Sequence, residues 1–245
     1  MSSKRKVLLL TGASRGIGHA TVKRFSDAGW RIITCSREAV PEECKRDPNW
    51  THHITADLGH PEDLDHFVAE AGGLLDGGLH ALVNNAGVSP KSPTKERLGC
   101  LNSDLDAWHA VFHLNFFVPL MLARTFADPL AAGRGAIVNV TSIAGHVVHP
   151  FAGSAYATSK AALSALTREM AVEFARLGVR VNAVAPGEIK TAMLSPETTS
   201  LLPRIPLNRL GDPEDVAGTI FFLCTEDAAY VTGTEIFING GQHVY

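Results

Sequence analysis

The feature that most constrains the fold is a regular alternation of short apolar runs and helical patterns along the chain. The first run, Val7–Leu10, is wholly apolar and passes through Thr11-Gly12 into a helical pattern that includes Ile17 and Phe25. A run without polar members predicts a strand buried on both faces, as in a parallel sheet covered by helices. Six similar runs follow: Arg31–Cys35, His52–Thr55, Ala81–Val83, Ala136–Val140, Val179–Val184 and Glu235–Ile238.

Helical patterns lie between most of these runs, near residues 62–71, 105–131, 156–177 and 213–224. This rhythm predicts an α/β fold with a doubly wound, Rossmann-like parallel sheet and helices on both faces. No repeat or Pro/Ser-rich linker interrupts it, so residues 1–245 are predicted to form a single domain.

Two stretches break the alternation. Ser89–Asn102 is polar and rich in Pro and Lys, which predicts a surface loop. Residues 190–211 follow a strand's carboxyl end and contain three prolines. A segment of this length and position predicts a substrate lid over a ligand crevice, with an ordinary surface loop as the alternative.

The composition excludes several classes of partner. A formal net charge of -3 gives no reason to expect nucleic acid or an anionic membrane. The eleven histidines and four cysteines fit no zinc-site spacing, so no metal is expected. The run Val7–Leu10 is too short for a signal or membrane segment, and the scattered cysteines suit a reducing compartment. We therefore expect a cytoplasmic protein that binds a small molecule.

A glycine-rich turn, Thr11–Gly18, joins the first apolar run to the first helical pattern, and its glycines follow the spacing GxxxGxG. Small residues permit a tight turn and bring a helix N-terminus close to a pyrophosphate. The turn therefore predicts a dinucleotide site, with a glycine-rich turn that binds no nucleotide as the alternative.

Tyr156 and Lys160 stand four residues apart in a helical pattern, which puts them on one face of a helix. An ammonium beside a phenol favours the phenolate, so the pKa of Tyr156 is expected to fall from ~10 toward working pH. A proton donor of that kind suits carbonyl reduction. The alternative is a partly buried Tyr that has a surface Lys as its chance neighbour.

Together with Asn84-Asn85-Ala86-Gly87, the motifs TGASRGIG and YxxxK resemble those of the short-chain dehydrogenase/reductase family. Ser142 lies fourteen residues before Tyr156, Asn115 falls where the family carries a helix asparagine, and Pro186–Thr191 resembles the family's PGxIxT segment. The resemblance covers essentially the whole chain and implies an NAD(P)(H)-dependent oxidoreductase.

The resemblance implies four catalytic residues. Tyr156 would donate its proton to a carbonyl oxygen, and Lys160 would lower the tyrosine pKa and hold the cofactor ribose. Ser142 would hydrogen-bond the same carbonyl oxygen. Asn115, through its backbone at a helix distortion, would seat a water that links Lys160 to solvent. An ordinary strand-end hydroxyl at Ser142 and a hydrogen-bonded core amide at Asn115 are the alternatives.

The resemblance also implies a cofactor site. Asp57 would bind the adenine amino group, Asn84 would flank the nicotinamide ribose, Thr191 would bind the carboxamide and Ile189 would pack against the ring. The full set is Gly12, Ser14, Arg15, Gly16, Ile17, Gly18, Ser36, Arg37, Asp57, Leu58, Asn84, Ala86, Gly87, Tyr156, Lys160, Pro186, Gly187, Ile189 and Thr191.

Cofactor preference is predicted from the end of the second apolar run. Ser36 stands where NAD-selective members of the family usually carry an acidic residue. Arg37 and Arg15, interpreted as having no carboxylate nearby, suit a 2′-phosphate because guanidinium groups make paired, charge-assisted hydrogen bonds. NADP(H) is therefore favoured, with NAD(H) as the alternative.

The substrate is predicted only as a class. Small and apolar residues of Ala144–Phe151, Ser89–Pro93 and the lid (Met193, Leu194, Leu201, Leu202) are candidates to line its site. The resemblance is closest to 3-oxoacyl-carrier-protein reductases, which implies reduction of a ketone to a secondary alcohol. The alternatives are an NAD-linked sugar or polyol dehydrogenase and a catalytically silent nucleotide-sensing protein. The resemblance also implies a homotetramer, or a homodimer, with contacts through the last strand and the helices at 105–131 and 156–177.

Overall fold

A computed structural model describes residues 5–244, apart from residues 42, 43, 45, 94, 95 and 195. Within these described residues, seven strands form one parallel sheet in the order β3-β2-β1-β4-β5-β6-β7. This confirms the predicted single-sheet α/β fold. The strands are β1 (Val7–Thr11), β2 (Arg31–Ser36), β3 (Trp50–Thr55), β4 (Ala81–Asn84), β5 (Ala136–Val140), β6 (Arg180–Pro186) and β7 (Glu235–Ile238).

Helices connect the strands and cover both faces of the sheet. They are α1 (Gly16–Asp27), α2 (Pro61–Gly73), α3 (Leu105–Phe112), α4 (Val118–Thr125), α5 (Ala127–Gly133), α6 (Ser154–Ala175) and α7 (Pro213–Leu223). The lid segment contains a 3₁₀ helix, Pro196–Arg204.

The run Val7–Leu10 of β1 is wholly apolar because helices cover both faces of the sheet at this strand. Leu9 belongs to a core on the α2, α4 and α6 side of the sheet, whereas Leu8 and Leu10 belong to a core on the α1 and α7 side. All three side chains are fully buried. Since successive side chains of a strand point to opposite faces, each of these leucines enters one of the two cores, and Thr11 at the end of β1 is its one polar residue. Each such burial stabilises the fold by about 1.5–3 kcal/mol.

The strand order reverses at β1, which pairs with β2 on one side and β4 on the other. The connections leaving β1 and β4 run to opposite sides, which opens a crevice at the carboxyl ends of these strands. Three predicted site segments lie at this edge because each ends or directly follows a central strand. They are the glycine-rich turn after β1, Ser36 at the end of β2 and Asn84–Gly87 at the end of β4.

The prediction of a single helix over residues 105–131 is wrong. A π-helical turn, His113–Phe117, separates α3 from α4, and α5 follows as a separate helix. Residue 119 is a proline and lacks an N–H, so the carbonyl of Asn115 cannot receive the α-helical hydrogen bond that residue 119 would normally donate. The distortion expected at Asn115 therefore has a local cause in the sequence.

Leu105–Thr125 is, by length and composition alone, apolar enough to cross a membrane. Helices of globular domains can pass the same test, and here α3 and the π turn pack against α6. Leu105, Phe117 and Met121 leave much of their side chains exposed on this surface. An exposed apolar face of this kind is typical of contacts between protein copies.

Cys35, Cys44 and Cys224 are buried, whereas Cys100 is exposed. Burial raises the pKa of both Cys35 and Cys224 to about 12. These two side chains therefore act as small core residues, in agreement with their apolar sequence context.

Candidate active site

A cavity of about 530 Å³ opens at the crevice. It is lined by every predicted catalytic and cofactor-binding residue except Asn84 and Asn115. Of the four lid residues predicted to line the substrate site, Met193 and Leu194 line it, whereas Leu201 and Leu202 do not. The glycine-rich turn and the end of β2 form one end of the cavity, and Ser142, Tyr156 and Lys160 line another part. One continuous cavity therefore joins the predicted cofactor residues to the predicted catalytic residues.

The glycine-rich turn leaves no room for side chains. Gly12 has φ +73°, and a Cβ there would lie 2.8 Å from Asn85 Nδ2. A Cβ at Gly18 would lie 2.0 Å from the carbonyl oxygen of Gly12. Both positions therefore require glycine, the first also for its positive φ, and this keeps the start of α1 close against β1.

The N-terminus of α1 is open to an anion. Its N-cap residue, Arg15, makes no side-chain capping bond, and the first turn has no acidic residue. The N-terminus of α7, by contrast, is closed by a capping box between Asp212 and Asp215. N-terminal N–H groups without such a cap and the positive end of the helix dipole fit the diphosphate of NAD(P)(H).

The end of β2 differs from the sequence expectation. Arg15 and Arg37 do have carboxylate neighbours: Arg15 Nη1 lies 3.1 Å from Glu38 Oε1, and Arg37 Nη1 lies 3.9 Å from Asp57 Oδ2. The Ser36 hydroxyl donates to the carbonyl of Glu38 at 2.6 Å. Glu38 was missed as a cavity residue, although an acidic residue two positions after Ser36 was visible in the sequence.

The predicted position of Asn84 is also wrong. Asn84 is buried within the sheet, where its Nδ2 donates to Asn139 Oδ1 at 2.8 Å. Asn139 Nδ2 in turn donates to Thr167 Oγ1 of α6 at 2.9 Å. Asn85 lines the cavity instead, and its Nδ2 donates to the carbonyls of Thr11 and Gly12 at 3.0 and 2.9 Å. As the last residue of β4, Asn84 turns its side chain toward the neighbouring strand rather than toward the cavity.

Ser142 and Tyr156 meet at the cavity wall. Ser142 follows β5, and its Oγ accepts a hydrogen bond from the N–H of Ala144 at 3.2 Å. Tyr156 lies in the first turn of α6, is half-buried and lines the same cavity as Ser142. Both hydroxyl-bearing side chains therefore belong to the wall that a substrate oxygen would contact.

Lys160 is buried beside Ser142 and Tyr156, and its amine is hydrogen-bonded to the backbone of β5. Its Nζ donates to the carbonyl of Val140 at 2.7 Å and lies 5.8 Å from the centroid of the Tyr156 ring. Burial lowers the pKa of Lys160 from 10.5 to about 8. The interior position thus penalises the charged amine.

The prediction that the pKa of Tyr156 falls is not supported by this geometry. Burial raises the pKa of Tyr156 above its ordinary value, the Ser142 hydrogen bond opposes the rise, and the charge of Glu188 adds to it. Burial is the largest of these causes, and Lys160 is not among them.

Asn115 lies behind the cavity wall and is fully buried. Its Oδ1 accepts from the N–H of Val88 at 2.9 Å, and its Nδ2 donates to the Val88 carbonyl at 3.0 Å and to Ser159 Oγ at 3.1 Å. The side-chain amide therefore links the loop after β4 to α6, one residue before Lys160. Pro119 has no N–H to donate to the backbone carbonyl of Asn115.

The Ser89–Asn102 loop is more than a surface loop. The Lys91 side chain donates to the carbonyl of Phe151, and Arg97 Nε donates to the carbonyl of Ala152 at 2.7 Å. The N–H of Ser154 donates to the carbonyl of Leu98 at 2.8 Å. The loop thus braces the segment between Ser142 and Tyr156, which its polar composition alone did not indicate.

A second pair of polar side chains faces the cavity. His149 Nε2 and Glu188 Oε1 lie 2.5 Å apart, and both residues line the cavity. Glu188 occupies the variable position of the Pro186–Thr191 segment and was missed by sequence reasoning, although a carboxylate in that segment was a visible signal. Met193, Leu194 and Thr198 of the lid segment complete the lining nearby.

Comparisons with known proteins agree with this site. The profile of a family described as enoyl-(acyl carrier protein) reductase matches residues 12–243. Protein FixR of Bradyrhizobium diazoefficiens is 57% identical over 242 residues, which are 98% of this chain and 87% of that protein. The 3-oxoacyl-[acyl-carrier-protein] reductase FabG of Aquifex aeolicus is 36% identical over 97% of both chains. The crystal structure of a Brucella ovis oxidoreductase (short chain dehydrogenase/reductase family) in complex with a partially ordered NAD has a TM-score of 0.79 and 52% identity; the match covers 96% of this chain and 100% of that one.

Proposed function

The chain belongs to the short-chain dehydrogenase/reductase family of NAD(P)(H)-binding oxidoreductases, and we propose that it reduces a ketone to a secondary alcohol. The proposed substrate is a 3-oxoacyl compound or a similar carbonyl compound. One observation carries the proposal: the Ser142 and Tyr156 side chains line the same cavity as the uncapped N-terminus of α1. The cofactor, when bound, supplies the hydride.

Tyr156 serves as the proton donor in this proposal. Its raised pKa keeps the phenol protonated near neutral pH, which is the form that a carbonyl reduction consumes. The Ser142 hydroxyl hydrogen-bonds the substrate oxygen and stabilises the negative charge that develops there. Reaction in the alcohol-oxidising direction starts from the opposite protonation state, the phenolate.

Proton resupply passes through Lys160 and Asn115 in this proposal. The Lys160 amine has a pKa of about 8, so it exchanges protons readily near neutral pH. The Asn115 carbonyl, which has no donor at residue 119, accepts a water that connects Lys160 to solvent. Ser159 and Val88 hold the Asn115 side chain, so the carbonyl keeps its position.

NADP(H) remains the proposed cofactor, with NAD(H) as the alternative. Arg15 and Arg37 stand at the cavity rim with more than half of each side chain exposed. Their exposed ion pairs with Glu38 and Asp57 are each worth about 0–1 kcal/mol, so a 2′-phosphate can compete for either guanidinium. The NAD complex of the Brucella ovis relative supports the alternative. Titration with both cofactors measures the preference.

The assembly of the protein and its lid segment bear on this activity. We propose a cytoplasmic homotetramer, or homodimer, in which the exposed apolar surface of α3, the π turn and α4 contacts a second copy. The segment at residues 190–211 acts as a lid, since Met193 and Leu194 line the cavity and are partly exposed. A sugar or polyol dehydrogenase is the alternative activity, and a nucleotide-sensing protein is the non-enzyme alternative.

Replacement of Tyr156 tests the reaction. Tyr156→Phe should lower kcat for ketone reduction by about 10²–10⁴-fold, because the proton donor is lost, while cofactor affinity changes by about twofold or less. Tyr230→Phe, at a fully exposed tyrosine, is the matched control. Turnover is followed by nicotinamide absorbance over a panel of 3-oxoacyl thioesters and other ketones. Full turnover of Tyr156→Phe would remove the residue from this role, and cofactor binding without turnover of any ketone or alcohol by the wild type would favour the sensor.

A further inference from the structure

Glu188 places a buried carboxylate in the chemical part of the cavity. The residue is only 5% exposed and lies in the same wall as Ser142 and Tyr156. The other carboxylates that line the cavity, among the described residues, are Glu38 and Asp57 at the end of β2 and the loop after β3. The reactive part of any cofactor must approach Tyr156, so Glu188 is the carboxylate that it meets.

The hydrogen bonds of His149, the neighbour of Glu188, define the charge of its imidazole ring. His149 Nδ1 accepts from the backbone N–H groups of Phe151 and Ala152, each at 3.2 Å. A ring nitrogen that accepts hydrogen bonds carries no proton, so the imidazole proton is on Nε2 and is donated to Glu188 Oε1. His149 is therefore neutral, and the His149–Glu188 pair carries one net negative charge rather than forming an ion pair.

The nearby positive groups have other partners. Lys160 donates to the Val140 carbonyl, Lys91 donates to the Phe151 carbonyl, and Lys190 pairs with Asp212 at 2.9 Å. Gln242 Nε2, a neutral donor, lies 3.4 Å from Glu188 Oε1. Within the described chain, no Lys or Arg side chain hydrogen-bonds to Glu188. The negative charge is thus available to a ligand in the cavity, and after the effect of burial it also raises the pKa of Tyr156.

We propose that Glu188, held by neutral His149, binds the positive charge that the nicotinamide ring carries in its oxidised form. This inference rests on the proposed function and adds a charge-selective residue to the same site. A fixed carboxylate in a water-poor wall favours a cation there and is indifferent to the neutral, reduced ring. It also stabilises positive charge as that charge develops during carbonyl reduction. Glu188 therefore biases the site toward oxidised cofactor.

Affinities of the two redox states test the proposal without turnover. NADP+, NADPH, NAD+ and NADH are each titrated into the wild type and Glu188→Gln by calorimetry. Glutamine keeps an oxygen that accepts from His149 Nε2 and removes only the charge. We expect the ratio of Kd for the oxidised form to Kd for the reduced form to rise about tenfold, mainly through weaker binding of the oxidised form.

Two variants serve as comparisons. Glu38→Gln removes a carboxylate from the other part of the same cavity and should change both redox states equally, which leaves the ratio unchanged. Glu188→Asp keeps the charge and should restore most of the ratio. If Glu188→Gln unfolds below the assay temperature, Glu188→Ala replaces it.

The outcomes separate this inference from the proposed function. A ratio in Glu188→Gln within about twofold of the wild type, with intact binding, would overturn the inference and leave the proposed function standing. An equal change of ratio in Glu38→Gln would also overturn it, because the effect would then belong to cavity charge in general. A wild type that binds none of the four cofactors would instead refute the proposed function and the inference with it.

Discussion

At the scale of single residues, burial of the Lys160 amine changes both the pKa of that amine and the stability of the fold. The side chain is 4% exposed and donates to one backbone carbonyl. Burial lowers its pKa from 10.5 to about 8, so the folded protein holds the proton less firmly than the unfolded chain. The same shift therefore destabilises the fold below pH 8.

The pH dependence of stability follows from this shift. Below pH 8 the folded state buries an ammonium at a cost, and that cost disappears as the pH rises from about 8 to 10.5, where the unfolded chain still binds the proton. The free energy of unfolding of the wild type, minus that of Lys160→Met, should rise by about 3 kcal/mol between pH 7 and pH 10.5. Urea unfolding at several pH values measures the difference.

The difference between the wild type and Lys160→Met cancels the contributions that other titrating groups make to the pH dependence of stability. Cys35 and Cys224, with pKa values raised to about 12, lower stability above pH 9, but they do so in both proteins. A difference that stays flat over this range would show that the Lys160 amine is not held as the structure describes.

Residue-scale predictions from the sequence succeeded where the requirement was local. The glycine turn was predictable because tight turns and close helix approach need glycine at fixed offsets. The pairs Arg15–Glu38 and His149–Glu188 join residues 23 and 39 positions apart, and no periodicity indicates such contacts. Asn84 was misplaced because one residue of offset at a strand end decides between cavity and core.

At the scale of elements, the π turn between α3 and α4 links a covalent property of proline to the site. Pro119 has no N–H to donate to the carbonyl of Asn115, which lies in this turn. The sequence predicted one long helix because apolar spacing continues through the turn. Pro119, in the middle of that span, was the visible signal of an interruption.

Restoring the N–H tests the turn. Pro119→Ala gives residue 119 a donor for the Asn115 carbonyl, which should let a regular α-helix form and leave the melting temperature equal or higher. The carbonyl then has less capacity for a water, so kcat should fall by about tenfold with little change in KM. Pro129→Ala, at a proline of α5 distant in sequence from the site, should leave kcat unchanged. An unaltered kcat in Pro119→Ala would exclude the carbonyl from proton resupply.

At the scale of the whole molecule, the sheet topology was predictable because it follows from repetition. Alternating strands and helices with right-handed crossovers allow few arrangements, and a wholly apolar first strand selects a central position. The surface of the molecule was less predictable. Which apolar residues remain exposed depends on how three short helices, rather than one long one, lie against α6.

The exposed apolar surface makes a prediction about assembly. Phe117 and Met121 lie four residues apart, and 48% and 41% of their surfaces are exposed. If this surface joins copies, the wild type should scatter light as a tetramer of the 26.2 kDa chain, and Phe117→Glu with Met121→Glu should halve that mass. Phe222→Glu, on α7 at the other face of the sheet, is the control. A wild-type monomer, or a double variant of unchanged mass, would contradict this use of the surface.

The distribution of thiols gives the molecule a built-in attachment point. Only Cys100 is exposed among the four cysteines, and burial raises the pKa of Cys35 and Cys224 to about 12, which suppresses their thiolates. A maleimide dye added to the native protein should therefore react first at Cys100, with no engineered cysteine. Because Cys100 belongs to the loop that braces the segment before Tyr156, fluorescence from that dye would report how the brace moves as ligands enter the cavity.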